Sequence, residues 1–283
     1  MPARFGPDAG EWELLMRKSC IPALAVLCPL LTLIACSAIP EPTATPLPTA
    51  TPQPSPTPTI ELIEPISDFV VFPSSDGNTL IRGVLYGQNP VGVILTHSGT
   101  AGASRQDWEP FAERVAAYGY MVLIYDIQGY GSTPGRALSI RSGVVSLGGA
   151  VDFMREQGAE QLILIGAGNP GMVGIELAAA NESGDIVGMA AISSPQTSYD
   201  NVLEISDEEL AALTMPTLWI SSRDDERTED MEAMYEGAAG PDKELQIYPG
   251  DLRGTDIFQN DDYRADLEQR LLDFIIRSAY PGG

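Results

Sequence analysis

Beyond Cys36 the chain contains no cysteine. All three, Cys20, Cys28 and Cys36, fall within the first 36 of 283 residues. The remainder can form no internal disulfide and offers no thiol nucleophile. Histidine is almost as scarce, and His97 is the only imidazole that could serve as a base. Positive charge is also short: 16 Lys+Arg stand against 39 Asp+Glu, for a formal net charge of −23. Such a surface repels nucleic acid and anionic lipid headgroups, so no nucleic-acid partner is expected, and the charge serves solubility. The sequence has no zinc-ligand cluster, P-loop or dinucleotide fingerprint, and no cofactor or metal is expected. The acidic run Asp224-Asp225-Glu226-Arg227-Thr228-Glu229-Asp230 lacks the spacing, turn glycine and terminal glutamate of a calcium loop. It reads as the solvated start of a helix, where acids complement the helix dipole.

What the chain does have divides it into three parts. Met16-Arg17-Lys18 supplies a positive segment, residues 20–34 are almost uninterruptedly apolar, and the run ends Leu33-Ile34-Ala35-Cys36. That ending resembles the lipobox of bacterial lipoprotein signal peptides, in which a small residue precedes a cysteine that becomes lipidated. The apolar run is short for a membrane span and its small residues suit cleavage; the alternative reading is an uncleaved anchor. Asp8, Glu11 and Glu13 fit poorly ahead of a signal peptide, which places the expected start at Met16. On either reading the rest of the protein is expected outside the cytoplasmic membrane, tethered through a lipid on Cys36. Residues 1–35 are thus read as the signal region and 36–60 as the lipidated cysteine plus a linker. Proline at every second or third position of that linker removes amide donors and favours extended polyproline II geometry, a semi-rigid spacer.

Residues 61–283 read as one domain. Residues 69–72 and 80–86 flank Asp76-Gly77-Asn78 and predict an antiparallel hairpin. Apolar runs at 91–96, 121–125, 162–165, 186–192, 217–220 and 245–248 read as buried strands. Helical spacing appears at 108–118, 142–157, 172–180, 207–213, 229–236 and 263–279. In the first of these Trp108, Phe111, Val115 and Tyr118 share a face, and in the last Leu267, Leu271, Phe274 and Ile275 do so. A hairpin followed by strands alternating with helices predicts an α/β fold, a mostly parallel sheet covered on both faces.

The domain is organised around Gln161-Leu-Ile-Leu-Ile-Gly-Ala-Gly-Asn-Pro-Gly171. A buried strand, a tight glycine turn and a helix form the context of the G-x-S-x-G nucleophile elbow, yet the nucleophile position holds Gly168. Further landmarks follow in order: Thr96-His97-Ser98-Gly99, Tyr125-Asp126-Ile127-Gln128-Gly129-Tyr130-Gly131, Ser221-Ser222-Arg223-Asp224-Asp225, and Tyr248-Pro249-Gly250-Asp251-Leu252-Arg253-Gly254-Thr255. Together with the elbow they resemble the α/β-hydrolase superfamily, near its dienelactone-hydrolase-like and serine-aminopeptidase-like branches. The resemblance covers nearly all of residues 65–280.

That resemblance implies a triad of serine, acid and histidine. In this sequence Gly168 stands at the nucleophile, Asp225 or Asp224 at the acid, and Arg253 at the base. Glycine cannot attack a carbonyl and arginine cannot accept a proton at ordinary pH, so the triad is expected to be degenerate, with an Asp225–Arg253 ion pair in the old Asp–His place. Amides of Asn169 and of Ser98 or Gly99 are expected to survive as an oxyanion hole. The expected function is a membrane-tethered binding module for a small molecule, peptide or partner protein at the remnant cleft. The alternative is a weak ester or lactone hydrolase in which Ser98, Ser193 or Ser194 acts with His97. A third reading is an interaction protein with no cleft function, using the insertion at 199–213.

Overall fold

The computed structural model describes residues 66–137 and 139–282. The signal segment, Cys36 and the Pro/Thr linker lie outside the described residues. Eight strands form one sheet: β1 (Ser67–Pro73), β2 (Leu80–Tyr86), β3 (Val91–Thr96), β4 (Met121–Asp126), β5 (Gln161–Ala167), β6 (Ile186–Ile192), β7 (Thr217–Ser222) and β8 (Lys243–Tyr248). Their order is β1-β2-β4-β3-β5-β6-β7-β8. The β1–β2 and β2–β4 pairings are antiparallel and the others parallel. Six α-helices accompany it: α1 (Glu109–Ala117), α2 (Ile140–Glu156), α3 (Asn169–Ala179), α4 (Asp207–Ala212), α5 (Thr228–Gly237) and α6 (Arg264–Ala279).

The period of two along the central strands builds the core. In β5, Leu162 and Leu164 join a cluster with Met154 of α2, Val173 and Ile175 of α3, and Met231 and Met234 of α5. Ile163, Ile165 and Ala167 point the other way, toward Phe111 and Val115 of α1 and Leu267, Leu271 and Phe274 of α6. A parallel strand buried on both faces must be apolar at every position, which is why these strands appear in the sequence as continuous apolar runs.

Strand and helix ends differ from the sequence expectation by up to three residues, the most at the start of α3. A 3-10 turn, Arg105–Trp108, precedes α1, so the expected helix at 108 begins one residue later. Ser104 caps this turn, its hydroxyl accepting from Gln106 N at 3.4 Å while Asp107 Oδ2 accepts from Ser104 N at 3.3 Å. Helix α3 begins at Asn169 rather than 172, because proline at its second position has φ preset for a helix and needs no donor. A second 3-10 turn, Gly254–Gln259, follows the loop after β8.

The loop after β4 wraps the carboxylate of Asp126, which is fully buried. It accepts from Arg105 N at 2.9 Å, Ser132 N at 2.8 Å and Ser132 Oγ at 2.7 Å, and it pairs with the Arg105 guanidinium. Burial pushes this carboxyl up, but the amides, the hydroxyl and the guanidinium outweigh it and hold it below its ordinary value. A depressed carboxyl stabilises the fold above its unfolded pKa and gives that up as pH falls through the folded one. Asp126→Asn is therefore expected to lose about 3–5 kcal/mol near neutral pH, the usual cost of breaking a buried pair. Urea melts should show the gap to the natural chain closing below about pH 4; a gap that ignores pH would mean the charge is not what the loop depends on.

Candidate functional site

At the carboxyl ends of the parallel strands lies a cavity of about 340 Å³. Ser98 and Gly99 reach it from the loop after β3, Gly168 and Asn169 from the elbow after β5, Arg227 from the turn before α5, and Arg253 from the loop after β8. Open α/β sheets place their ligand sites at this end. A wider depression of about 580 Å³, around Thr214, Pro216 and Tyr280, lies at the opposite end, where β7 and β8 begin.

The elbow is built by a close approach. A Cβ on Gly166 would lie 2.7 Å from Gly171 Cα, so β5 and the first turn of α3 touch backbone to backbone. Between them Gly168 has φ 67° and ψ −140°, a conformation that costs a non-glycine residue of order 1–3 kcal/mol. Its amide donates to Ile192 O at 2.8 Å, and its carbonyl accepts from Gly171 N at 2.9 Å. A Cβ at Gly168 would find nothing nearer than Ser98 Cβ at 3.8 Å and the amide nitrogen of Gly99 at 4.0 Å. The position therefore has room for a side chain directed toward the Gly99 amide. The amides of Gly99 and Asn169 have no hydrogen-bond acceptor among the described residues.

Five of the residues singled out from the sequence, Ser98, Gly99, Gly168, Asn169 and Arg253, meet in the cleft. The others do not line it. His97 is fully buried; its Nε2 accepts from Ile127 N at 3.1 Å and its Nδ1 donates to Ser98 O at 2.7 Å. Both ring nitrogens are thereby committed to backbone, and the ring packs edge-on to Tyr130. Ser98 Oγ bonds Thr100 Oγ1 at 2.9 Å and Thr255 Oγ1 at 3.4 Å, and not the imidazole. Ser193 and Ser194 are fully buried with unpartnered hydroxyls. Gly171 covers Ser194, because a Cβ there would stand 2.0 Å from Ser194 Oγ. Asp224 is exposed.

The acid and base positions depart from expectation. Asp225 is buried; its Oδ1 accepts from Arg227 N at 3.1 Å and its Oδ2 has no partner. Arg253 does not pair with it. The Arg253 guanidinium donates to Glu226 Oε1 at 2.8 Å, with its side chain 47% exposed. The expected Asp225–Arg253 pair is thus replaced by a rim contact with the next acid along. The long arginine side chain carries its head to the rim, where it meets Glu226, while the short Asp225 side chain is held inward by the turn it caps.

Arg227 was not among the residues singled out. Arg227 lines the cleft, and its guanidinium forms no hydrogen bond or ion pair with any described residue. The only available signal was one base inside a run of acids. Helix α5, which follows it, is fixed at its start by Thr228 Oγ1 donating to Ser222 O at 2.6 Å. At its end Lys243 Nζ donates to the carbonyls of Tyr235, Glu236 and Ala238. The insertion after β6 contributes Tyr199 and Asp200 to the rim of the same cleft. Among the described residues no group of three or more His, Cys, Asp or Glu side chains is placed to hold a metal ion.

Burial pushes the His97 pKa down, and the Ser98 carbonyl with the charges of Asp126 and Asp107 restores it only in part. The unfolded chain takes up this proton near pH 6.5 and the folded one resists it, so the contribution of His97 to stability falls as pH drops below about 6.5. The one imidazole resonance pair in ¹⁵N spectra is expected to stay neutral, with the proton on Nδ1, through that range. Titration at or above about 6.5 would place the ring in solvent and refute its backbone-bracing role.

No family model matches the sequence, and no curated protein matches it. Solved structures do match in shape. An esterase from Pyrococcus furiosus superposes with a TM-score of 0.60 at 18% identity, covering 75% of this chain and 92% of its own. A dienelactone hydrolase from Anabaena variabilis gives 0.59 at 17%, covering 76% and 99%. An alpha-beta serine hydrolase homologue from Coxiella burnetii gives 0.55 at 12%, covering 73% and 96%. With its eight-stranded, mostly parallel sheet, its antiparallel N-terminal pair and helices on both faces, this chain has the α/β-hydrolase fold.

Proposed function

We propose that this protein is a surface-tethered lipoprotein whose α/β-hydrolase-fold cleft binds a ligand and does not perform serine hydrolysis. Gly168 carries the reading: the elbow keeps the conformation and the space of a nucleophile site, with no atom there to attack. Two further features support it. The base position holds Arg253, which turns outward to Glu226, and Asp225 Oδ2 faces no proton donor. A serine hydrolase needs nucleophile, base and orienting acid as a unit, and loss of one removes most of the rate.

Short-chain nitrophenyl esters test this on the full chain. The natural protein is expected to be silent, and Gly168→Ser/Arg253→His to exceed it by about 10³-fold or more. An active natural protein overturns the proposal and favours the second reading, ester or lactone hydrolysis by a loop serine. Ser98 is the serine that favours that reading, since its residue lines the cleft beside Gly168. A fluorophosphonate probe that labels Ser98 would support it.

The tether rests on Leu33-Ile34-Ala35-Cys36 and the Pro/Thr-rich stretch behind it. Cys36→Ser is expected to abolish lipid labelling and shift the protein out of the membrane fraction. Continued membrane association of unlabelled protein would instead support an uncleaved anchor.

A further inference from the structure

We infer that the cleft's ligand is a small organic monocarboxylate with an apolar body, held chiefly by Arg227. This rests on the reading of the cleft as a binding site. The observations concern charge. Acids outnumber bases 39 to 16 in this chain, yet the cleft reverses the balance, with two guanidiniums, Arg227 and Arg253, against one carboxylate, Asp200. Four described arginines, Arg136, Arg141, Arg223 and Arg227, have guanidiniums without a hydrogen-bond or ion-pair partner among the described residues, and of these only Arg227 is half-buried and lines the cleft.

Asp200 does not supply the missing partner. Its oxygens accept from Ser198 Oγ at 2.8 Å, Val202 N at 3.4 Å and Ile140 N at 3.4 Å. Arg253 is already neutralised by Glu226 at the rim. Arg227 is therefore the uncompensated charge in the cavity, and it is half-buried. Its place is fixed from behind, since Asp225 Oδ1 accepts its backbone amide. The buried acid thus acts as a positioning residue for an arginine.

The amides of Gly99 and Asn169 add two donors without acceptors. Asn169 opens the eleven-residue helix α3, so its amide carries the positive end of the helix dipole. A planar guanidinium fork and two backbone amides match the two oxygens of a carboxylate. Ile127, Tyr130, Ile140 and Val173 add apolar surface to the same cleft. Cleft volume sets an upper bound of a small molecule, and the protein's net negative charge disfavours polyanions more than a single carboxylate.

Isothermal titration of the full chain with phenylacetate, beside phenylacetamide as the uncharged isostere, tests this. Phenylacetate is expected to bind saturably and at least about tenfold more tightly than the amide. Arg227→Gln should lower phenylacetate affinity by about tenfold or more, with phenylacetamide binding unchanged. Arg253→Gln should cost about threefold or less, because Glu226 already screens it. Equal affinity for the two probes, or an Arg227→Gln variant that binds phenylacetate as the natural chain does, overturns the inference. Turnover of nitrophenyl phenylacetate, followed in the same samples, separates the two claims. Turnover by the natural chain overturns the binding reading itself, whereas a silent chain that fails to distinguish the probes overturns only the carboxylate.

Discussion

The contact on which the site depends is the one between β5 and α3, where Gly166 and Gly171 meet without side chains. Their backbones approach so closely that a methyl group on Gly166 would lie 2.7 Å from Gly171 Cα. This closeness forces the chain through a sharp turn, and Gly168 at its tip takes the positive φ the turn requires. The same contact roofs over Ser194, frees the Asn169 amide toward the cleft and sets the direction of α3. Widening it would move the amides, the cavity wall and the sheet's central strand together.

Electrostatics then divides the molecule. Over the whole chain acids outnumber bases, 39 to 16. Inside, the charges that remain are committed one by one. Asp126 is ringed by donors and braces the loop after β4, and Asp225 caps the turn that carries Arg227. His97 is held neutral by burial while both its nitrogens tie backbone segments together. Arg227 is the exception among the cleft's charges. Under the proposed binding role, that exception is where binding energy is available.

Much of the architecture was legible because burial on both faces forces long apolar runs. Strands β3 and β6 were readable to the residue from such runs alone, and α6 from the spacing of Leu267, Leu271, Phe274 and Ile275. Helix starts were less so. Asn169 and Pro170 look like turn residues in a linear reading, and only the packing of α3 on β5 makes them its first turn. The 3-10 turn at Arg105–Trp108 depends on Ser104 and Asp107 capping each other, a local arrangement that hydrophobic periodicity does not report.

At the site, residue identity and residue placement separate cleanly. The sequence by itself determined that position 168 has no nucleophile and position 253 no proton acceptor, because side-chain chemistry is a property of the residue wherever it lies. It also determined the sheet, because alternation and apolar length follow from burial. Only the tertiary structure decided partners. Arg253 bonds Glu226 and leaves Asp225 alone, His97 serves the backbone, and Arg227 enters the cleft unpaired. Those outcomes depend on where long side chains find water and where short ones are pinned by a turn. Such distances are fixed by the packing of loops from six different strand ends, and no spacing along the chain encodes them.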